Sequence, residues 1–122
     1  MPKKFSLLDR LHSCRHAARG FRILITEEHN ARLHVAAAIM AITLGIVLKI
    51  SATEWLFISF AIGIVFITEI LNTAMENLSD HVSPEENELI GKVKDLGALA
   101  VMVSAVMAVI TGGIVFLPRI LG

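Results

Sequence analysis

The chain has a single cysteine, Cys14, among 122 residues. That excludes an internal disulfide and any redox or metal motif built on two thiols. Cys14 reads as a small apolar filler, with lipidation of an amphipathic segment as the alternative. Net charge is also lacking, because 11 Lys and Arg balance 11 Asp and Glu. No basic field points to nucleic acid, and no acidic tail points to a solvating segment. No apolar stretch carries an A-x-A-like cleavage pattern, so all of them are expected to remain in the product. What is abundant is hydrophobic sequence, 55% of residues with a mean hydropathy of +0.71. This composition belongs to an integral membrane protein of one all-α domain, residues 1–122.

Three apolar runs are long enough for spans, since about 20 apolar residues cross a bilayer core. The first, over residues 29–49, follows Thr26, with Glu27 and Glu28 placed in its first turn. The second, over 52–80, starts at Ser51, which forms a capping-box pattern with Glu54. The third helix, over 84–118, starts at Ser83 with Pro84 at its first position and Glu86 completing a second such pattern. Its membrane part runs from about residue 96, and Pro118 and Arg119 stop it.

Ahead of these runs, residues 5–25 place Phe5, Leu8, Leu11, Ala18, Phe21 and Ile25 at three- and four-residue intervals between basic positions. The pattern predicts an amphipathic helix lying on an anionic membrane surface, with packing on a soluble partner as the alternative. His12 and His16 share a face there, but with no third ligand nearby they read as solvated. Lys and Arg at positions 3, 4, 10, 15, 19, 22 and 32, with 92 and 94, fall on one side of the spans. Lys49 and Arg119 fall on the other. The N-terminus and the loop around residues 80–95 are thus expected in the cytoplasm, and the C-terminus outside.

The second run changes character at "EILNTAMENLSDH", residues 69–81. On a helix turning roughly 100° per residue, positions 69, 72, 76 and 80 lie at about 0°, 300°, 340° and 20°. Glu69, Asn72, Glu76 and Asp80 therefore share one stripe, with Glu69 about 10 Å deeper than Glu76. A carboxylate in mid-bilayer costs about 2.5–3.5 kcal/mol on insertion scales, so acids at such depth mark a function. Glu28, at the start of the first span, and Lys94 and Asp95, at the start of the third, belong to the same cytoplasmic end. The bland reading of the stripe is helix-packing hydrogen bonds through Asn72 and Thr73, which leaves the acids and Lys94 unexplained.

Clustered carboxylates suit Mg²⁺, which usually arrives with phosphates. ATP would come from the cytoplasm, Lys94 would neutralise phosphoryl charge, and the deep acid would take a proton from a lipid hydroxyl. The residues thus point to a lipid kinase, although neither a G-x-x-x-x-G-K-[ST] loop nor the protein-kinase motif set is present.

"EILNTAMENLSD", "KVKDLGALAV" and "EEHNARLH" resemble the signature blocks of the prokaryotic diacylglycerol kinase family, and the resemblance covers essentially the whole chain. It implies a homotrimer of three transmembrane helices and a surface helix in the bacterial cytoplasmic membrane. It further implies Glu69 as general base, Glu28 and Glu76 as carboxylates for the divalent metal on ATP, and Asn72, Lys94 and Asp95 as phosphate-positioning residues. Asp80 would lie near the nucleotide, and Glu27 would be surface charge. Arg15, Arg19 and Arg22 would contact the membrane, with a reach to ATP as the alternative. The blocks "EHNARLH", "ATEWLFISFAIG" and "FLPRIL" resemble the branch acting on undecaprenol, which is favoured over diacylglycerol; both alcohols present a primary hydroxyl.

Ala100, Ser104, Ala108 and Gly112 on the third run, and Ala37, Ala41 and Gly45 on the first, form small-x-x-x-small faces for contact within or between subunits. A small transporter remains an alternative, but it would place its acids at the midplane rather than at one face. A holin would need no polar stripe.

Overall fold

The computed structural model covers residues 1–122 and is all-helical: α1 (Leu7–Glu27), α2 (His29–Val47), α3 (Ala52–Val82) and α4 (Glu88–Leu121), with no strands. Helices α2, α3 and α4 are long and apolar enough to cross a membrane. Only 12 of the 122 residues are buried. Most aliphatic side chains of the spans therefore face outward, an arrangement water penalises and hydrocarbon accepts.

Helices α3 and α4 form the main pairing of the bundle, and α2 lies against both. Thr68 and Ser104 share a hydrogen bond of 2.8 Å across the α3–α4 seam. Ser104 is buried, so this member of the small-residue stripe serves contact within the chain. At one end Ile50, Ile58, Val115 and Phe116 make a small apolar core, with Trp55 packed against it. Arg119 locks the same end, pairing with Glu54 and donating from Nη1 to the Leu48 carbonyl. Helices of 31 and 34 residues extend about 46 and 51 Å, against a hydrocarbon layer of about 30 Å. The polar makeup of residues 76–82 and 88–94 assigns the excess length to the opposite end.

The helix boundaries have local causes. Ser51 and Glu54 form the expected capping box, each side chain bonded to the other's amide. The α2–α3 turn is closed by Ile50 N–H to Gly45 O and Lys49 N–H to Ile46 O, with Lys49 left-handed at φ 51°.

Three boundaries differ from expectation. Thr26 and Glu27 end α1 rather than begin the first span, and Glu28 is extended between α1 and α2, with φ −114° and ψ 115°. The break leaves carbonyls without partners at the end of α1, and Arg32 takes two of them: Nε donates to Ile25 O at 2.8 Å and Nη2 to Thr26 O at 3.1 Å. The fourth helix starts at Glu88 rather than at Pro84, because Asn87 Oδ1 accepts from Ile90 N–H at 3.0 Å. Ser83 instead caps the end of α3, and its hydroxyl donates to Glu85 O. Nor does Pro118 stop the chain's last helix, which continues to Leu121. A proline there forfeits one amide bond close to the helix end, where the loss is small.

Candidate functional site

The stripe on α3 runs from buried to exposed. Glu69 is 1% exposed and is the largest fully buried side chain in the molecule. Asn72 and Glu76 are half-buried, and Asp80 is exposed. Each step of three or four residues keeps the face and moves about 4.5–6 Å toward the polar end. Asn72 Nδ2 donates to Glu76 Oε1 at 3.3 Å, which links two members of the stripe.

Glu28 joins them from the break between α1 and α2. It is half-buried, and its carboxyl is held above the ordinary value, first by desolvation and then by the negative charges of Glu76, Glu69 and Glu27. Mutual repulsion of this kind is relieved by a cation. No three His, Cys, Asp or Glu side chains converge into a set that would hold a metal alone. Mg²⁺, which commonly takes one or two carboxylates plus substrate phosphates, fits such a pair.

On α4, Lys94 Nζ lies 2.9 Å from Asp80 Oδ1, an ion pair that crosses the seam at the stripe's exposed end. Asp95 is exposed, and it shares in none of the ion pairs or side-chain hydrogen bonds of this end. Gly97 is where α4 meets Asn72. A Cβ at residue 97 would collide with Asn72 Oδ1, an oxygen that is buried without a hydrogen-bond partner. The fold therefore brings Glu28, Glu69, Asn72 and Glu76 into one region, with Lys94 joined through Asp80.

Sequence reasoning missed three neighbours. His34 on α2 places Nε2 3.3 Å from Glu69 Oε2. Asn77 Nδ2 donates to Glu27 Oε2 at 3.1 Å, tying α3 to the end of α1, so Glu27 is more than surface charge. Arg32, counted in the sequence only among the Lys and Arg ahead of the first span, holds the α1 terminus. Each contact crosses between helices, so no local spacing encodes it. Residues His12 and His16 take part in no metal cluster, and Cys14 is an exposed free thiol.

A cavity of about 340 Å³ opens between α2, α3 and α4, lined by small and apolar side chains that include Ala37, Ala41, Ala105, Ala108 and Gly112. His34 is the one titratable group on its wall. A buried carboxylate, a carboxylate pair suited to a cation and a lysine at one end of a membrane bundle can take a proton, hold a metal phosphate and neutralise transferred charge.

Comparison with known proteins points the same way. Residues 15–116 match the profile of prokaryotic diacylglycerol kinase. The chain is 37% identical over 105 residues to undecaprenol kinase of Bacillus subtilis, covering 86% of this chain and 85% of that protein. It is 32% identical over 93 residues to diacylglycerol kinase of Escherichia coli K12, covering 76% of each. With diacylglycerol kinase of Synechocystis it shares 34% over 112 residues, 91% of this chain and 64% of that one. The chain belongs to the prokaryotic diacylglycerol kinase family and is a lipid kinase.

Proposed function

We propose that the protein transfers the γ-phosphoryl group of ATP to the primary hydroxyl of a membrane lipid alcohol, in a Mg²⁺-dependent reaction at the cytoplasmic interface of the bacterial inner membrane. Undecaprenol is the favoured substrate and diacylglycerol the alternative. The observation that carries this reading is Glu69, a carboxylate 1% exposed at the apolar end of a stripe whose other end is polar. A base at that depth meets a hydroxyl anchored in lipid, and the exposed end meets a nucleotide from water.

Glu69 accepts the hydroxyl proton as the lipid oxygen attacks phosphorus. Glu28 and Glu76 are the residues that would hold Mg²⁺, which when bound neutralises phosphate charge and orients the γ-phosphoryl group. Lys94, restrained by Asp80, faces the transferred charge, while Asn72 and Asp95 position the phosphates. Charge placement supports the orientation: nine of eleven Lys and Arg belong to the N-terminal and 80–95 side, the C-terminus lying outside. Helix α1 lies in the interface as an amphipathic surface helix, with exposed Leu8, Leu11 and Phe21 toward the acyl chains. So thin a bundle functions as a homo-oligomer, a homotrimer by family resemblance. Undecaprenol is supported by the Bacillus subtilis relative.

The test is phosphate transfer from labelled ATP to undecaprenol and diacylglycerol offered together to purified protein with Mg²⁺. Label entering undecaprenol in preference is the expected result; label entering diacylglycerol alone replaces the substrate, and label in neither lipid removes the kinase reading.

A further inference from the structure

Glu69 has a neighbour that none of the roles above uses. His34 Nε2 stands 3.3 Å from Glu69 Oε2, and both atoms are buried without a hydrogen-bond partner. The His34 side chain as a whole is 20% exposed against 1% for Glu69. The imidazole thus bridges the closed position of the carboxylate and the cavity between α2, α3 and α4. Among the cavity-lining residues α3 presents Ile58, Val65 and Phe66 and α4 presents Ala105, Val109 and Phe116, all uncharged. On α2 the nearest cation, Arg32, is committed to the carbonyls of Ile25 and Thr26. Glu69 is therefore the one ionisable group His34 faces in contact.

We infer that His34 is a positioning residue for the phosphoryl transfer, fixing the Glu69 carboxylate and receiving its proton after the chemical step. The inference rests on the lipid-kinase reading and on Glu69 as its base. In that step the lipid O–H bond breaks, the oxygen bonds to the γ-phosphorus, the bond from phosphorus to the ADP oxygen breaks, and the proton goes to Glu69. Transfer from Glu69 to His34 Nε2 then restores the carboxylate and leaves an imidazolium, whose proton passes to water. The Glu69 carboxyl is closed in by packing and His34 is the titratable group in contact with it, so the imidazole is the first station for the proton as it leaves the base.

The experiment compares wild type, H34Q and H34N in mixed micelles at saturating Mg²⁺, recording kcat, the KM for ATP and the pH profile of kcat. Glutamine and asparagine keep a polar contact for Glu69 but cannot titrate. The expected result is an unchanged KM for ATP, a kcat lowered by the order of 10²-fold, and a pH profile of kcat whose acid side differs from that of wild type, because the variants leave Glu69 as the only member of the pair that takes up a proton. A kcat within about twofold of wild type, or a lowered kcat with a pH profile superimposable on that of wild type in both variants, overturns the inference, the second outcome marking a purely structural role. Absence of transfer by wild type itself would instead remove the kinase reading on which the inference stands.

Discussion

Asn72 on α3 lies so close to Gly97 on α4 that a Cβ at 97 would meet its Oδ1. The contact lies on the α3–α4 seam, between the stripe and the helix that carries Lys94. Any Cβ at 97 must push Asn72, and with it the hydrogen bond to Glu76. G97A is expected to lower kcat by about 10- to 100-fold, as displacement of a positioned group does. In the double variant N72A/G97A the space is restored, so thermal stability should recover while activity does not. Thermal midpoints and turnover of the three variants check both halves.

The raised pKa of Glu28 has a direct consequence for metal use. A carboxyl held above its ordinary value takes up its proton at a higher pH than a free carboxylate does, and only the ionised form binds Mg²⁺. Acidification should therefore raise the Mg²⁺ concentration needed for half-maximal rate, beginning at a higher pH than an ordinary carboxylate would give. E28Q should need far more metal at every pH and lose most of that pH dependence. Titration of activity with Mg²⁺ at several pH values measures it, and chelation should abolish turnover.

Lys94 and Asp80 have unequal roles. Their pair is partly exposed, so its contribution to stability is small. K94M is expected to lower kcat by the order of 10²-fold or more through loss of charge neutralisation, whereas D80N should lower it by less than about tenfold because the lysine remains. Steady-state kinetics with ATP as the varied substrate separates the two.

At the opposite end, Arg119 ties Glu54 and the Leu48 carbonyl, far from every proposed site residue. R119M should lower the midpoint of thermal inactivation by a few degrees and leave kcat and both KM values unchanged.

How much of this was legible in the sequence depends on how local each cause is. The stripe from Glu69 to Asp80 was legible because one helix carries it and helical phase is fixed by geometry. The burial of Glu69 was not, because it comes from packing within the bundle. The start of α3 was legible because Ser51 and Glu54 satisfy each other within one turn. The same spacing at Ser83 and Glu86 misled, since the chain needs the residues up to Asn87 to turn back, and Ser83 is occupied in closing α3. Glu28 was placed correctly at the start of the first span, but its extended backbone was not foreseen, because Arg32 supplies the compensating bonds from the next helix. His34 was invisible for a similar reason: its partner lies 35 positions away and becomes a neighbour only once α2 and α3 pack. Gly97 carried no signal beyond its presence in an apolar run, and its function as a site for close approach is a property of the α3–α4 seam.

The central claim is that the buried carboxylate of Glu69 is the base for a lipid hydroxyl, while the nucleotide is held elsewhere on the stripe. The most direct measurement sets transfer of labelled phosphate to undecaprenol beside ATP binding, for wild type and E69Q. The account predicts that E69Q binds Mg²⁺–ATP as wild type does and loses transfer by at least about 10²-fold. Transfer that survives in E69Q near the wild-type rate would contradict it.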